Sequence, residues 1–133
     1  MPTPLNILLV DDDFDDREMF IEVVLEIDSS VKFLTATNGN DALQQLIKTD
    51  NLPDIIFLDL NMPRMNGFQC LQHLKNNERY AAIPVIMYTT SGNTEDKEKA
   101  KRLGALKFLT KPSCIKLLKE ELEKLFKEVL SQA

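Results

Sequence analysis

Five short apolar runs, each followed by an amphipathic stretch, constrain this chain more than any other feature. The runs are "NILLVD" (6–11), "VKFLTAT" (31–37), "DIIFLDL" (54–60), "PVIMYT" (84–89) and "LKFLTK" (106–111). Their length and content of branched residues read as strands. Between them, "DREMFIEVVLEI" sets Met19, Phe20, Val23, Val24 and Ile27 on one helical face, and "DALQQLI" does the same with Ala42, Leu43, Leu46 and Ile47. "GFQCLQHLKNN" and "TEDKEKAKRLG" supply a third and a fourth helix, the latter closing at Gly104 as a C-terminal cap. The alternation specifies an α/β fold, a parallel sheet covered by helices. The last helix, "SCIKLLKEELEKLFKEVLSQ", carries apolar residues at 115, 118, 122, 125 and 129. Two heptads are too few for a coiled coil, so this face is expected to pack on the core.

With 133 residues, 44% of them hydrophobic and 28% charged, the chain fits one domain (1–133) with a substantial core. No repeat, low-complexity tract or long linker marks a second one. The formal charge of −5 leaves no basic stripe for nucleic-acid phosphates, which argues against direct DNA binding. The start of the chain, "MPTPLNILLVDDD", lacks a basic leader, and its apolar stretch is too short for a signal peptide or a membrane span. A cytoplasmic location is expected. Cys70 and Cys114 lack metal-ligand spacing and are expected to be buried free thiols. His73, the single histidine, is expected at the surface, and one such residue builds no nucleophilic triad.

Polar residues follow the apolar runs at each place where such a fold binds ligands, outside the carboxyl ends of its strands. The first run ends in Asp11, Asp12 and Asp13, the third in Asp59 and Asn61, the fourth in Thr89 and Thr90, and the fifth in Lys111. Two carboxylates about 4 Å apart repel by about 4 kcal/mol at an effective dielectric near 20. Solvent or a cation must therefore offset the crowding in "LLVDDDFDD". If the first and third strands are neighbours, Asp11 and Asp12 lie beside Asp59, and the set suits Mg2+. A hydroxyl at 89 and an ammonium at 111 would then stabilise the charge of a phosphoryl group. Any one of these residues alone is better explained as a helix cap or loop residue than as a ligand; four coincident strand ends favour a site. Asp13, Asp15 and Asp16 read as helix-start residues facing the positive end of the dipole, with Asp13 able to line the acidic pocket.

In order and spacing, "ILLVDDD", "IIFLDLNMPRMNG", "PVIMYTTSG" and "GALKFLTKP" resemble the signature stretches of the response-regulator receiver domain. The resemblance covers essentially the whole chain. It implies a flavodoxin-like three-layer sandwich with strand order 2-1-3-4-5 and five helices, and no output domain. It also implies Asp59 as phospho-acceptor, Asp11 and Asp12 as the acidic Mg2+ pair, and Asn61 as a ligand through its backbone carbonyl, with Mn2+ able to substitute. Thr89 would be the switch hydroxyl, Lys111 the family's lysine and Phe108 the aromatic switch. The implied protein is a stand-alone regulator, a monomer or weak dimer. A sensor histidine kinase or a histidine phosphotransfer protein would supply its phosphoryl group, and an unknown downstream protein would read the surface near helix 4, strand 5 and helix 5. Two positions depart from the commonest pattern: Thr90 stands where many receivers have alanine, and Phe108 where tyrosine is frequent.

Of three alternatives, the first stays open beside the output regulator and two are argued against by particular residues. A phosphorelay shuttle would use the same chemistry. A Mg2+-dependent aspartyl phosphatase of the haloacid dehalogenase type needs a second Asp two residues after its nucleophile, and Asn61 cannot serve as that acid. A flavodoxin-like nucleotide binder would want a glycine- or hydroxyl-rich loop after the first strand, where this chain has carboxylates. The expected role is thus a signalling domain, catalysing only its own phosphoryl transfer and dephosphorylation.

Overall fold

The computed structural model describes residues 5–90 and 92–130. Strands β1 (Asn6–Val10), β2 (Lys32–Ala36), β3 (Ile55–Leu58), β4 (Val85–Thr89) and β5 (Lys107–Thr110) alternate with helices α1 (Phe14–Ile27), α2 (Gly39–Lys48), α3 (Gly67–Lys75), α4 (Thr94–Arg102) and α5 (Ile115–Leu130). All four strand pairings are parallel, in the order β2-β1-β3-β4-β5. Each of the five expected strands is present, one or two residues shorter at its ends. The last residues assigned to the final helix, and the first four of the chain, lie outside the described residues.

Side chains alternate across a pleated strand, and here both faces are buried. Leu8, Val10, Ile56, Leu58, Val85 and Met87 face one layer, where they meet Ala42, Leu46, Cys70, Leu71, Leu74 and Ala100 of α2, α3 and α4. Ile7, Leu9, Ile55, Phe57, Ile86 and Tyr88 face the other, against Phe20, Val23 and Val24 of α1 and Leu118, Leu122 and Leu125 of α5. The central strands therefore read as continuous apolar runs, whereas the edge strands β2 and β5 keep exposed lysines, Lys32 and Lys107.

Local signals set the helix ends. Asp13, Asn38, Asn66 and Asn93 each accept a backbone N–H of the first turn as N-caps, and Asn66 forms a reciprocal capping box with Gln69. Gly104 (φ +104°) ends α4 as expected: its N–H donates to Lys101 O and that of Ala105 to Ala100 O, the two bonds of a Schellman motif. Gly67 allows α3 to start beneath β3, since a Cβ there would strike the Asp59 carbonyl oxygen and lie 2.7 Å from Leu60 Cα.

Three expectations need correction. Ile47 is 62% exposed because only Gly39, Ala42 and Leu46 of α2 are fully covered. Ile115 is half exposed, and the Cys114 thiol is accessible rather than buried. Both stand where the chain re-enters from the carboxyl end of β5, and the covered face of α5 begins only at Leu118. Burial instead holds Cys70, on α3, and pushes its thiol up to about 12. A thiol reagent such as dithiobis(nitrobenzoate) is accordingly expected to titrate one thiol rapidly in the native protein and the second only in denaturant. Cys114→Ser should abolish the fast phase.

Candidate phosphoryl-acceptor site

Strand order reverses between β1 and β3: the chain leaves β1 for the edge strand β2, then crosses to β3 on the other side. The crevice beyond the carboxyl ends of those two strands is where an open α/β sheet presents its ligand site. Backbone bonds carry the ladder one residue past each strand. Asp11 N–H donates to Ala36 O (3.0 Å), Asp59 N–H to Val10 O (2.9 Å) and Lys111 N–H to Thr89 O (2.7 Å). The residues that carry the charge are thus held by the sheet itself.

Carboxylate oxygens of Asp11, Asp12 and Asp59 lie within 4.8 Å of one another. Asp11 is 1% exposed and Asp59 is buried, while Asp12 faces solvent. Lys111 reaches in from beyond β5, its side chain 7% exposed, and its Nζ donates to Asp11 Oδ2 (2.7 Å), Asp16 Oδ2 (2.9 Å) and Asp59 Oδ2 (3.3 Å). The second oxygens are also engaged: Asp11 Oδ1 accepts the Asp13 N–H at 3.0 Å, and Asp59 Oδ1 the Asn61 N–H at 3.3 Å. Arg17 Nη1 donates to Asp11 O at 2.8 Å, fixing the end of β1 from α1.

Burial is the largest influence on Asp11 and pushes its carboxyl up to about 6, against the hydrogen bonds from Lys111 and the Asp13 N–H. Burial also works against the Lys111 ammonium, but the hydrogen bonds to Asp11 and Asp16 and the charges of Asp59 and Asp11 outweigh it and hold the group above its usual value. Lys111 is therefore fully charged at neutral pH. Even so, one ammonium stands among four carboxylates, those of Asp11, Asp12, Asp16 and Asp59. An all-oxygen set with excess negative charge and one exposed member fits a hard divalent cation such as Mg2+ or Mn2+.

Thr89 closes β4 and is fully buried, and Asn61 is exposed in the loop after β3. In that loop Arg64 adopts φ +66° as the Met65 N–H turns back to Pro63 O, an uncommon conformation for a residue other than glycine. Phe108 of β5 is half-buried and packs against the layer of α2 to α4. It borders an open groove of about 830 Å3 that also includes Lys97, Ala100, Lys101 and Leu106. His73 is exposed, as expected.

Two participants escaped the sequence reading. Asp16 is more than a first-turn charge, because its carboxylate binds Lys111. Tyr88, one residue before Thr89, is buried with its ring 5.4 Å from Lys111 Nζ, in cation–π range. The spacing of Asp11 and Asp16 was the available signal for the first. Sequence could not tell which of Asp15 and Asp16 turns back over the strand ends, since that depends on the geometry of the turn into α1.

The comparison with known proteins decides the family: the model of the response regulator receiver domain matches residues 7–123. The chain belongs to the response regulator receiver family. Protein PilG of Pseudomonas aeruginosa is 35% identical over 108 residues, covering 81% of this chain and 77% of PilG. The crystal structure of the phosphorylated cyanobacterial phytochrome response regulator RcpA superposes with a TM-score of 0.88 at 26% identity, covering 97% of this chain and 96% of that one. The Mn2+-bound form of response regulator Rcp1 superposes with a TM-score of 0.82 at 29% identity, covering 93% of each chain. As a receiver, the chain is a domain of two-component signalling, and receivers take phosphoryl groups from histidine kinases. No helix among the described residues is long and apolar enough to cross a membrane.

Removing the lysine should show how far the receiver's carboxylates depend on it. Breaking a buried ion pair typically costs 3–5 kcal/mol because a charge is left unpaired. Lys111→Ala is expected to lower the unfolding free energy by about 3 kcal/mol at neutral pH in urea titrations without divalent cations. The loss should be smaller at pH 5, where an Asp11 carboxyl already raised by burial takes up a proton and no longer needs the ammonium.

Proposed function

We propose that this receiver accepts a phosphoryl group on Asp59 from the phosphohistidine of a sensor histidine kinase or histidine phosphotransfer protein. The observation that supports this most is the Lys111 ammonium on Asp59 Oδ2, beside a carboxylate cluster able to hold a divalent cation. An Asp59 oxygen forms a bond to phosphorus as the bond from phosphorus to the donor imidazole breaks. The imidazole nitrogen keeps the electron pair and regains a proton from solvent. Lys111 faces the negative charge of the transferring group, and burial of the site makes that charge worth more than it would be in water. Asp11, Asp12 and Asp59, with the backbone carbonyl of Asn61, would hold Mg2+ or Mn2+, which supplies further neutralisation of phosphoryl oxygens. We take residues 1–133 as one receiver unit acting in the cytoplasm.

In this reading the signal leaves through Thr89 and Phe108. New phosphoryl oxygens draw in the buried Thr89 hydroxyl, and Phe108, already half-buried, packs deeper beside α4. The surface of α4, β5 and α5 changes for a downstream protein. A target that prefers this state favours phosphorylation in return, because coupling between the two sites is reciprocal. Phe108 has no hydroxyl to bond, so further burial is what holds it, and because the ring starts half-buried this supplies only part of the about 1.5 to 3 kcal/mol of full burial for a side chain of this size.

Radiolabelled acetyl phosphate with Mg2+ is expected to label the wild-type chain and not Asp59→Asn. Equal labelling of the variant would refute Asp59 as the acceptor. Asp12→Ala should act in two opposite ways. Without divalent ions it relieves carboxylate repulsion and is expected to stabilise the fold by about 1 kcal/mol. Added Mg2+ should raise the wild-type melting temperature by mass action and leave that of Asp12→Ala nearly unchanged.

A further inference from the structure

We infer that Asp16 is a positioning residue for phosphoryl transfer, the anchor that keeps the Lys111 ammonium aimed at the acceptor once Asp11 and Asp59 are otherwise engaged. The inference rests on the reading of Asp59 as acceptor. An ammonium has three N–H donors, and here each meets one carboxylate: Asp11 at 2.7 Å, Asp16 at 2.9 Å and Asp59 at 3.3 Å. Two of these acceptors change during the reaction. Asp11 belongs to the cluster suited to a divalent cation, and Asp59 loses its free carboxylate when it becomes an acyl phosphate. Asp16 lies outside that cluster and undergoes neither change.

The surroundings support a fixed rather than an incidental contact. The Asp16 N–H donates to Oδ1 of the N-cap Asp13 at 3.0 Å, which sets the first turn of α1. The Asp16 side chain is 29% exposed and lies at the mouth of the site, above a lysine that is almost fully covered. On a further side the Tyr88 ring stands 5.4 Å from Nζ. Without Asp16 the ammonium, offered only acceptors that are being altered, can swing toward solvent at the moment its charge is needed. The neighbouring Asp15 carries the same charge in the same turn, but among the described residues the ion pairs of Lys111 go to Asp11, Asp16 and Asp59, which makes Asp15 the internal control.

The test is the rate of Asp59 labelling by radiolabelled acetyl phosphate at saturating Mg2+, using the full chain. Asp16→Ala is expected to label roughly tenfold more slowly, the effect of one charge-assisted hydrogen bond felt in the transition state. Asp16→Asn, which keeps an acceptor oxygen, should recover part of the rate, and Asp15→Ala should stay within about twofold of wild type. In a Lys111→Ala background, Asp16→Ala should have no further effect, because the group through which it acts is gone. A wild-type or faster rate for Asp16→Ala overturns the inference, as does an equal slowing with and without Lys111 or an equal slowing by Asp15→Ala. Failure of the wild-type chain itself to label at Asp59 would instead overturn the reading of the site on which the inference stands.

Discussion

A single buried ammonium joins four separate parts of this fold. Lys111 follows β5, and its three carboxylate partners follow β1, follow β3 and sit in the first turn of α1. The buried carboxylates of Asp11 and Asp59 would be costly in their places without a cation, and the lysine would be costly without them. Because one group satisfies the other, the carboxyl rim of the sheet can concentrate negative charge next to a fully apolar core. The rest of the site depends on this balance, including the surplus charge that suits a divalent ion.

The sheet makes that balance possible by bringing distant residues to one edge. Lys111 and Asp11 are 100 positions apart, yet parallel pairing through β3 and β4 sets the ends of their strands at the same rim. Backbone bonds beyond the last strand residues hold Asp11, Asp59 and Lys111 before any side chain is considered. Gly67 lets α3 begin against the loop after β3. Charged groups held in this way need little reorganisation when further charge develops beside them.

Within the core an aromatic cluster extends from the layer of α1 and α5 to the site. Phe20 packs in a tilted arrangement against Phe57 and Tyr88 at 4.8 and 5.3 Å between ring centroids, and Phe126 of α5 meets Phe57 edge-on at 6.2 Å. Tyr88 belongs both to this cluster and to the surroundings of Lys111. The layer of α1 and α5 is therefore tied to the charged rim, while Phe108 lies on the opposite layer beside α4.

The primary structure by itself determined the strands, the helices and the polar residue at each strand end, because apolar periodicity and capping chemistry are local properties written in consecutive residues. It determined which residues fill the core wherever a helix lies fully over the sheet, as with Phe20, Val23 and Val24. At the margins it did not: Ile47, Cys114 and Ile115 have apolar surroundings in sequence but no layer above them in space. The charged site was legible as a set, since Asp11, Asp12, Asp59 and Lys111 each follow an apolar run. Only the tertiary structure decided that Asp16 and Tyr88 complete the surroundings of the lysine. Their roles follow from the angle at which α1 leaves β1 and from the packing of β4 against two helices, and such distances between remote segments are set by the folded sheet as a whole.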